Sequence, residues 1–525
     1  MSLVGDAGLD SLHTTLGCLL SQTKPSLTRS LNRVEHISKK AFLIRTTSIE
    51  KLRTVSPSIR TSWNSRFQEL AETEKVIQDF IQPASEDLKA LQKDSIGQLS
   101  FQDEYFKCFN FVPFVLLGMS LFKIWAVPLM ALLTPLIAWI VPYIFLKFMY
   151  KLPISSEQYG DILKLIWSGS PFPMKPGADG RLTIPPISFF TPRSLIQGAV
   201  FVFSFAQGLI QPIQNAYHLY KTDQTILENG EKVIRVYQTY KSFLIETQNL
   251  GLKFPFRDSL QDMEITDPRR AIHLLMEQPE RFQIALRDLA DLEILWRIAN
   301  CESLNPATVI ENGKHPLFQA DGMVDISLPS ETAVSSAIDF TGRSHHAALT
   351  GPNGGGKSSF LRSTLQCVLL AQAYGVSPAE TLIIRRFGWI SSGLRLQDSP
   401  GTLSMFETEV WFASNLLGRS SERGPGLVLY DELFHSTNPP DGIETARIFL
   451  DRLWKKTDVV SIVSTHVFDL VEKAPESVQR LCCSARTRDD GIIEYGYAVE
   501  TGICRISSVR SIWKRFRLSA ADPPI

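Results

Sequence analysis

The sequence has no excess of either charge: 54 Lys+Arg stand against 54 Asp+Glu in 525 residues. A uniformly basic nucleic-acid coat is thereby excluded. Charged residues are few, 21% against 44% hydrophobic ones, which excludes a disordered chain. Cysteine is scarce as well. The seven, Cys18, Cys108, Cys301, Cys367, Cys482, Cys483 and Cys504, form no C-x-x-C pair. Neither a zinc knuckle nor a disulfide framework is expected, and the thiols read as reduced, buried small hydrophobes. The N-terminus, MSLVGDAGLD, lacks a positive stretch before an apolar run, so a cleaved secretory signal is not expected. What is there is apolar material for cores, over a length of roughly two to four domains.

That material is unevenly spread. Lys24 to Arg66 carries ten basic residues and two acidic ones, Glu35 and Glu50. Such an excess suits phosphates or an anionic membrane surface, or else a solvated helix face. From Trp63 to Lys93 the spacing is helical, with Phe67, Leu70, Val76, Ile77, Phe80 and Ile81 on one stripe. Residues 1–107 therefore read as a helical, basic N-terminal region.

Residues 108–220 read as an apolar region with one to three membrane helices. Ile124 to Leu146 is a run of 23 residues without charge. As a helix it reaches about 34 Å, enough for a hydrocarbon core of about 30 Å. Lys123 and Lys147 bracket it, and Trp125 and Tyr143 sit where interfacial anchors belong. Pro128, Pro135 and Pro142 recur seven apart, and membrane helices tolerate proline better than soluble ones. The alternative is a buried core segment broken by these prolines. Cys108 to Phe122 is uncharged but short. Ser194 to Tyr220 lacks full charges yet holds Gln197, Gln207, Gln211, Gln214 and Asn215; its core, 195–217, reads as a second span or an interfacial helix. Between the runs, Lys151 to Arg193 is rich in proline and glycine and reads as a loop. Residues 221–300 return to dense charge at helical spacing, a soluble connector. From 301 to 525 short strand-like and helical runs alternate, which predicts an α/β domain.

Residues 349–360 read LTGPNGGGKSSF. Gly351-x-x-x-x-Gly356-Lys357-Ser358 is a P-loop pattern, with the strand-like HHAALT before it and a helical run after it. Its glycines let backbone N–H groups close around phosphate oxygens without Cβ clashes. Nucleotide contacts are expected from Gly351, Pro352, Asn353, Gly354, Gly355, Gly356, Lys357, Ser358 and Ser359. Lys357 would reach the β- and γ-phosphates of ATP, and Ser358 would ligate Mg²⁺. Downstream, the apolar Leu427–Tyr430 run delivers Asp431-Glu432, a Walker B arrangement. Asp431 would hold Mg²⁺ through water and Glu432 would activate the attacking water. A third strand-like run, Val459 to Val463, ends in Ser464-Thr465-His466, and His466 is a candidate γ-phosphate sensor.

The segment TGPNGGGKSSFLR resembles the P-loop of the MutS family of DNA mismatch-repair ATPases, down to Pro352-Asn353. Further elements are similar in the same order: GKHPLF at Gly313–Phe318, AQAYGVSPAE at Ala371–Glu380, and GTLSMFETE at Gly401–Glu409 with Ser404 and Glu409 in register. DELFHSTNPPDG at Asp431–Gly442 and Ser464-Thr465-His466 follow. The resemblance covers roughly residues 302–510. It implies an α/β P-loop NTPase of the ABC-type, MutS-like fold, working as a homodimer. ATP would lie between one subunit's P-loop and the partner's signature loop, here Ser436, Thr437 and Asn438. ERGPG, not an LSGGQ-like stretch, precedes Asp431, which argues against the transporter branch.

Two departures stand out. Where the family commonly has Gly-Arg-Gly-Thr-Ser-Thr, this chain has Phe434-His435-Ser436-Thr437-Asn438-Pro439. The N-terminal half has no room for mismatch-reading, connector, lever and clamp domains. Its Phe67-Gln68-Glu69 lies in a helical stretch and reads as core plus surface, not as a mismatch wedge. The chain resembles MutS-like proteins with membrane segments ahead of the ATPase. The function expected is a membrane-associated ATPase that couples ATP binding and hydrolysis in a dimer to motion, its catalytic half on the cytosolic side. The alternative is a soluble, DNA-associated repair or recombination factor, with DNA a partner by resemblance alone.

Overall fold

The computed structural model describes residues 2–81, 96–101, 103–152, 154–168, 175–176, 182–183, 192–257, 259–311, 313, 315–342, 344–396, 403–488 and 493–516. Of the stretch Lys151 to Arg193, read as a loop, residues 153, 169–174, 177–181 and 184–191 lie outside these residues. So do the continuation of the Trp63 helix to Lys93, Lys314 of GKHPLF, and Gly401. The described part of Lys151 to Arg193 corrects the loop reading, because Ser156–Ser168 is a helix, with Tyr159, Ile162, Leu163 and Ile166 at helical spacing between the Pro- and Gly-rich flanks. Two compact units emerge, and neither is contiguous. One holds Met1–Ala71, Tyr240–Asp258 and Ile284–Ile525; the other holds Glu72–Thr239 and Ser259–Gln283.

The first unit is built on a six-stranded sheet. Its strands are β1 (His346–Thr350), β2 (Trp389–Gly393), β3 (Gly426–Tyr430), β4 (Val459–Ser464), β5 (Val478–Thr487) and β6 (Ile493–Thr501). Their order across the sheet is β2-β3-β4-β1-β5-β6, parallel except for β6 against β5. β1, β2, β3 and β4 are buried at every position, as their short apolar runs require of strands covered on both faces. A second, four-stranded sheet joins Thr308–Ile310, Thr381–Arg385, Phe318–Met323 and Ser336–Asp339.

The N-terminal residues belong to this same unit. Val4, Ala7, Leu9, Leu12, Leu16 and Leu20 are buried. Helices Thr23–Asn32 and Lys39–Arg53 pack on helix Lys357–Tyr374, which follows the glycine loop. Helix Pro57–Ile81 seats Trp63 and Phe67 against Phe243 and Trp296, with Trp63 4.9 Å from Phe243 and 5.0 Å from Trp296. Phe67 is a core residue, as expected. Several cations of the basic stretch are used internally. Arg45 donates to Ala373 O and Ser30 Oγ, Lys51 to Gly251 O, Arg53 to Leu304 O, and Arg66 pairs with Glu246. All seven cysteines are free, and Cys367, Cys483 and Cys504 are buried.

The second unit contains the apolar helices. Helix Pro113–Leu121, a π-type turn at Phe122–Ala126 and helix Val127–Ile144 follow one another without a break. The π-type turn has a cause: Pro128 has no N–H for the carbonyl of Ile124, and the wider turn accommodates that loss. Among the described residues, one helical segment, Pro113–Thr134, is long and apolar enough to cross a membrane. Its outer face is bare: Trp125, Leu129 and Met130 are 68%, 58% and 60% exposed. The second run lies in helix Pro192–Asn249, 58 residues long, with Pro212 inside it. Below the apolar stretch a buried polar cluster closes the unit. Arg269 makes two hydrogen bonds to Asp223, at 3.0 and 2.7 Å, and Ser120 donates to the same carboxylate at 2.9 Å.

Candidate functional site

The sheet order decides what meets at its carboxyl edge. β4 lies between β1 and β3, so the ends of three strands converge there. β1 ends in the glycine loop, β3 in Asp431-Glu432, and β4 in Ser464, followed by Thr465 and His466. Brought together across more than a hundred residues of sequence, these are the three elements that the motif reading singled out.

Gly351, Gly354 and Gly356 all have positive φ, at 149°, 78° and 101°. Gly354 and Gly356 lie in the left-handed region, where a Cβ would be strained. Gly351 is held for space as well, since an added Cβ would lie 3.1 Å from Cys483 Cβ. The loop opens directly into helix Lys357–Tyr374, whose free N–H groups and dipole favour an anion. Lys357 is 5% exposed and folds back, donating to Gly351 O at 3.1 Å and Pro352 O at 3.3 Å. Burial lowers its pKa below the usual lysine range, while the Glu432 and Asp431 carboxylates act in the opposite sense. Its ammonium thus occupies the cradle and satisfies two loop carbonyls.

Ser358 Oγ donates to Asp431 Oδ2 at 2.5 Å. Ser464 Oγ donates to Asp431 Oδ1 and accepts from the backbone N–H of Glu432 at 2.9 Å. One hydroxyl thereby ties both acidic residues to β4. Glu432 has φ 53°, a left-handed conformation rare outside glycine. Its Oε1 lies 3.1 Å from His466 Nε2. That hydrogen bond is the main reason the Glu432 carboxyl is held below the usual carboxylate range. Asn353, Gly354, Gly356, Lys357, Ser358 and Glu432 line one cavity of about 680 Å³, which continues toward Leu328, Val334 and Tyr497.

The loop after Asp431-Glu432 is held from below. Phe434 has φ 48° and is buried, 6.3 Å from Phe406, 6.2 Å from Tyr430 and 6.0 Å from Phe449. It keeps the backbone conformation a glycine would favour while its ring fills an aromatic cluster. Ser436 Oγ donates to the fully buried Glu409 at 2.6 Å, and His435 Nδ1 lies 3.2 Å from the other oxygen of that carboxylate. Asn438 caps helix Pro439–Leu453 by accepting from Asp441 N–H at 3.1 Å. Ser436 and Asn438 thus both have local partners in this chain.

Two contributors were not singled out from the sequence. Ser464 was read only as part of a motif around His466; its position at the end of an apolar strand beside the acidic pair is the signal. Arg362 donates to Asp325 Oδ2 at 2.9 Å and to Ser359 Oγ at 3.0 Å. Nothing in the spacing of Asp325 reveals that link. Among the described residues no group of three or more His, Cys, Asp or Glu is arranged to hold a metal. A serine hydroxyl with one carboxylate suits Mg²⁺ only where phosphate and water complete the shell.

Residues 347–512 match the family model of MutS domain V, a P-loop ATPase-like α/β domain. The match begins inside β1, spans the glycine loop, Asp431-Glu432 and His466, and ends within helix Val509–Arg515.

Proposed function

We propose that this chain is a MutS-type ATPase that binds Mg·ATP at the glycine loop and hydrolyses it, anchored to a membrane by its apolar helices. The observation that carries the reading is the junction of Ser358, Asp431, Ser464, Glu432 and His466 at one sheet edge, beside a buried lysine. The match to MutS domain V supports the same reading.

When bound, Mg·ATP supplies a γ-phosphoryl group whose negative charge the metal offsets. The loop N–H groups and the helix N-terminus would receive the phosphates. Lys357 would exchange Gly351 O and Pro352 O for phosphate oxygens, an exchange of neutral for anionic acceptors. Ser358 and Asp431 would orient the metal's remaining waters. Glu432, kept ionised by His466, would orient and deprotonate the attacking water. Ser436, Thr437 and Asn438 are the residues we assign to the dimer contact. For Ser436 and Asn438 that role requires release from Glu409 and Asp441.

Membrane attachment rests on the exposure of Trp125, Leu129 and Met130 within the uncharged run Ile124–Leu146. A water-soluble surface seldom leaves so large an apolar face uncovered. In the proposed arrangement two spans place both soluble ends on the ATP-containing, cytosolic side.

ATP turnover by the purified full chain tests the enzyme reading. Glu432→Ala should slow hydrolysis about a hundredfold to ten-thousandfold while nucleotide stays bound. It should also accumulate a dimer in ATP, measured by light scattering. Unchanged turnover would remove Glu432 from its role. Extraction of membranes with alkaline carbonate tests the anchor, since a protein released without detergent does not span.

A further inference from the structure

A groove of about 750 Å³ runs between the first apolar helix and helix Pro192–Asn249, inside the second unit. Its two ends differ in chemistry. At one end stand Lys123 and His218; toward the other, Val127, Ala131, Pro212 and Ala216. Ser120 bonds Asp223 at 2.9 Å, which sets Lys123 and Thr222 near one level; Ala131 and Pro212 lie further along their helices. Small side chains at Ala131 and Ala216, and the two prolines Pro128 and Pro212, keep the helices from filling the space between them.

The level of each end is fixed by the Ser120–Asp223–Arg269 cluster. Ser194 to Tyr220 carries no full charge and dense charge begins at Lys221, which puts Asp223 and its partners on the water side of a bilayer. Ser120 lies one helical turn before Lys123, and Asp223 directly follows Thr222. Lys123 therefore stands at headgroup level. Ala131, eight residues on, lies about 12 Å deeper, within the hydrocarbon of one leaflet. Lys123 Nζ donates to Gln98 O, a neutral acceptor, and among the described residues no carboxylate pairs with it. Among the described residues no acidic side chain lines the groove.

We propose that this groove holds one anionic phospholipid, with its phosphate at Lys123 and His218 and an acyl chain along Val127, Ala131, Pro212 and Ala216. This rests on the membrane reading above. The lipid would fill space the two helices leave open and neutralise Lys123 at the interface. The site lies in the second unit and shares no residue with the nucleotide cavity.

The test uses the full chain in phosphatidylcholine membranes containing a minor share of phosphatidylserine, released into detergent and weighed by native mass spectrometry. Wild type should retain one phosphatidylserine in preference to phosphatidylcholine. Lys123→Gln should lower that retention about fivefold, the worth of one basic residue at an anionic surface. Lys123→Arg should keep it, and Ala131→Trp should abolish it by filling the groove. Should Ala131→Trp fail to fold, the Lys123→Gln and Lys123→Arg pair decides alone. Equal retention of the two lipids, or retention unchanged in Lys123→Gln, overturns the proposal. So does complete replacement by added oleate, which would make the ligand a free fatty acid. Carbonate release of wild type would instead overturn the membrane reading itself. A protein that stays integral, with no selective lipid, overturns only the groove.

Discussion

At the scale of single residues, the site reads as a set of short polar links laid over strained backbone. Glu432 and Phe434 both sit at positive φ, and neither is glycine. Such conformations cost on the order of 1–3 kcal/mol and persist where surroundings fix them. Ser464 is one such fixture, since its hydroxyl holds both Asp431 and the Glu432 N–H. Ser464→Ala should leave that N–H without its acceptor and destabilise the first unit by about 1–3 kcal/mol. ATP turnover should fall further than the loss of folded protein explains; proportional losses would make Ser464 merely structural. Lys357, Ser358 and Asp431 were legible because a contiguous motif names them. Ser464 was not, because its partners stand 33 and 32 residues away and only strand order joins them. A second residue fixes pH behaviour. His346 Nε2 must donate to Lys456 O at 2.9 Å, since a carbonyl only accepts, so Nδ1 accepts from Ser461 Oγ at 2.7 Å. Burial lowers its pKa to about 4, against an ordinary 6.5 for histidine. The unfolded chain gains a proton in that window and the folded chain does not. Stability is therefore present above the unfolded pKa and lost as pH falls from 6.5 toward 4, by about 3 kcal/mol at most. His346→Gln should flatten that slope in chemical denaturation series; a slope equal to wild type would assign the loss to other groups.

At the scale of elements, apolar stripes and runs were legible, but helix bounds were not: Ser156–Ser168 reads as loop, and Pro192–Asn249 as two elements divided near residue 220. Trp63, Phe67 and Leu70 announce their helix by spacing, and all three are buried. The uncharged run around Val127–Ile144 announces itself by length and composition. Residues 2–20, by contrast, form helices of only four residues, Leu3–Asp6 and Leu12–Thr15. No periodicity accumulates over one turn, so composition suggested only the start of a basic arm. Gln366 shows what these residues do. It is fully buried, donates to Ala7 O and to Asp325 Oδ1, both at 2.8 Å, and accepts from Ile326 N–H at 3.0 Å. Asp325 in turn holds Arg362, and Arg362 reaches Ser359 beside the glycine loop. Gln366→Ala would strand a carbonyl and an N–H away from water, a loss of about 2–4 kcal/mol. We expect limited proteolysis to cleave within residues 2–20 of that variant first, and much faster than in wild type. Cleavage at wild-type rate would show that the N-terminal residues are held by apolar contacts alone.

At the scale of the whole molecule, the change of pattern near residue 300 is not a boundary of packing. The helix after the glycine loop makes this concrete. Of the 18 residues in Lys357–Tyr374, all but Ser358, Ser359 and Arg362 are buried. A helix lying on a sheet normally buries one stripe; one buried all round needs cover on its other side. Here helices Thr23–Asn32 and Lys39–Arg53 supply it, with Arg45 bonded to Ala373 O at the far end and Gln366 bonded to Ala7 O nearer the loop. The sequence carried half of this message: CVLLAQA is apolar on every side, which demands burial, but nothing in it says which segment provides the cover. A chain cut to residues 301–525 keeps the sheet, the glycine loop, Asp431 and Glu432, and loses that cover. It also loses Trp63, Phe67, Phe243 and Trp296, each fully buried in the intact unit. Exposing so much apolar surface costs far more than the roughly 5–15 kcal/mol by which a domain is stable. The truncated chain should therefore aggregate or bind a hydrophobic dye strongly, show no cooperative thermal transition, and fail to bind ATP although every motif residue is present. A soluble, cooperatively folding fragment with wild-type nucleotide affinity would refute the argument. It would mean that the N-terminal helices are an accessory to the ATPase fold and not a wall of it.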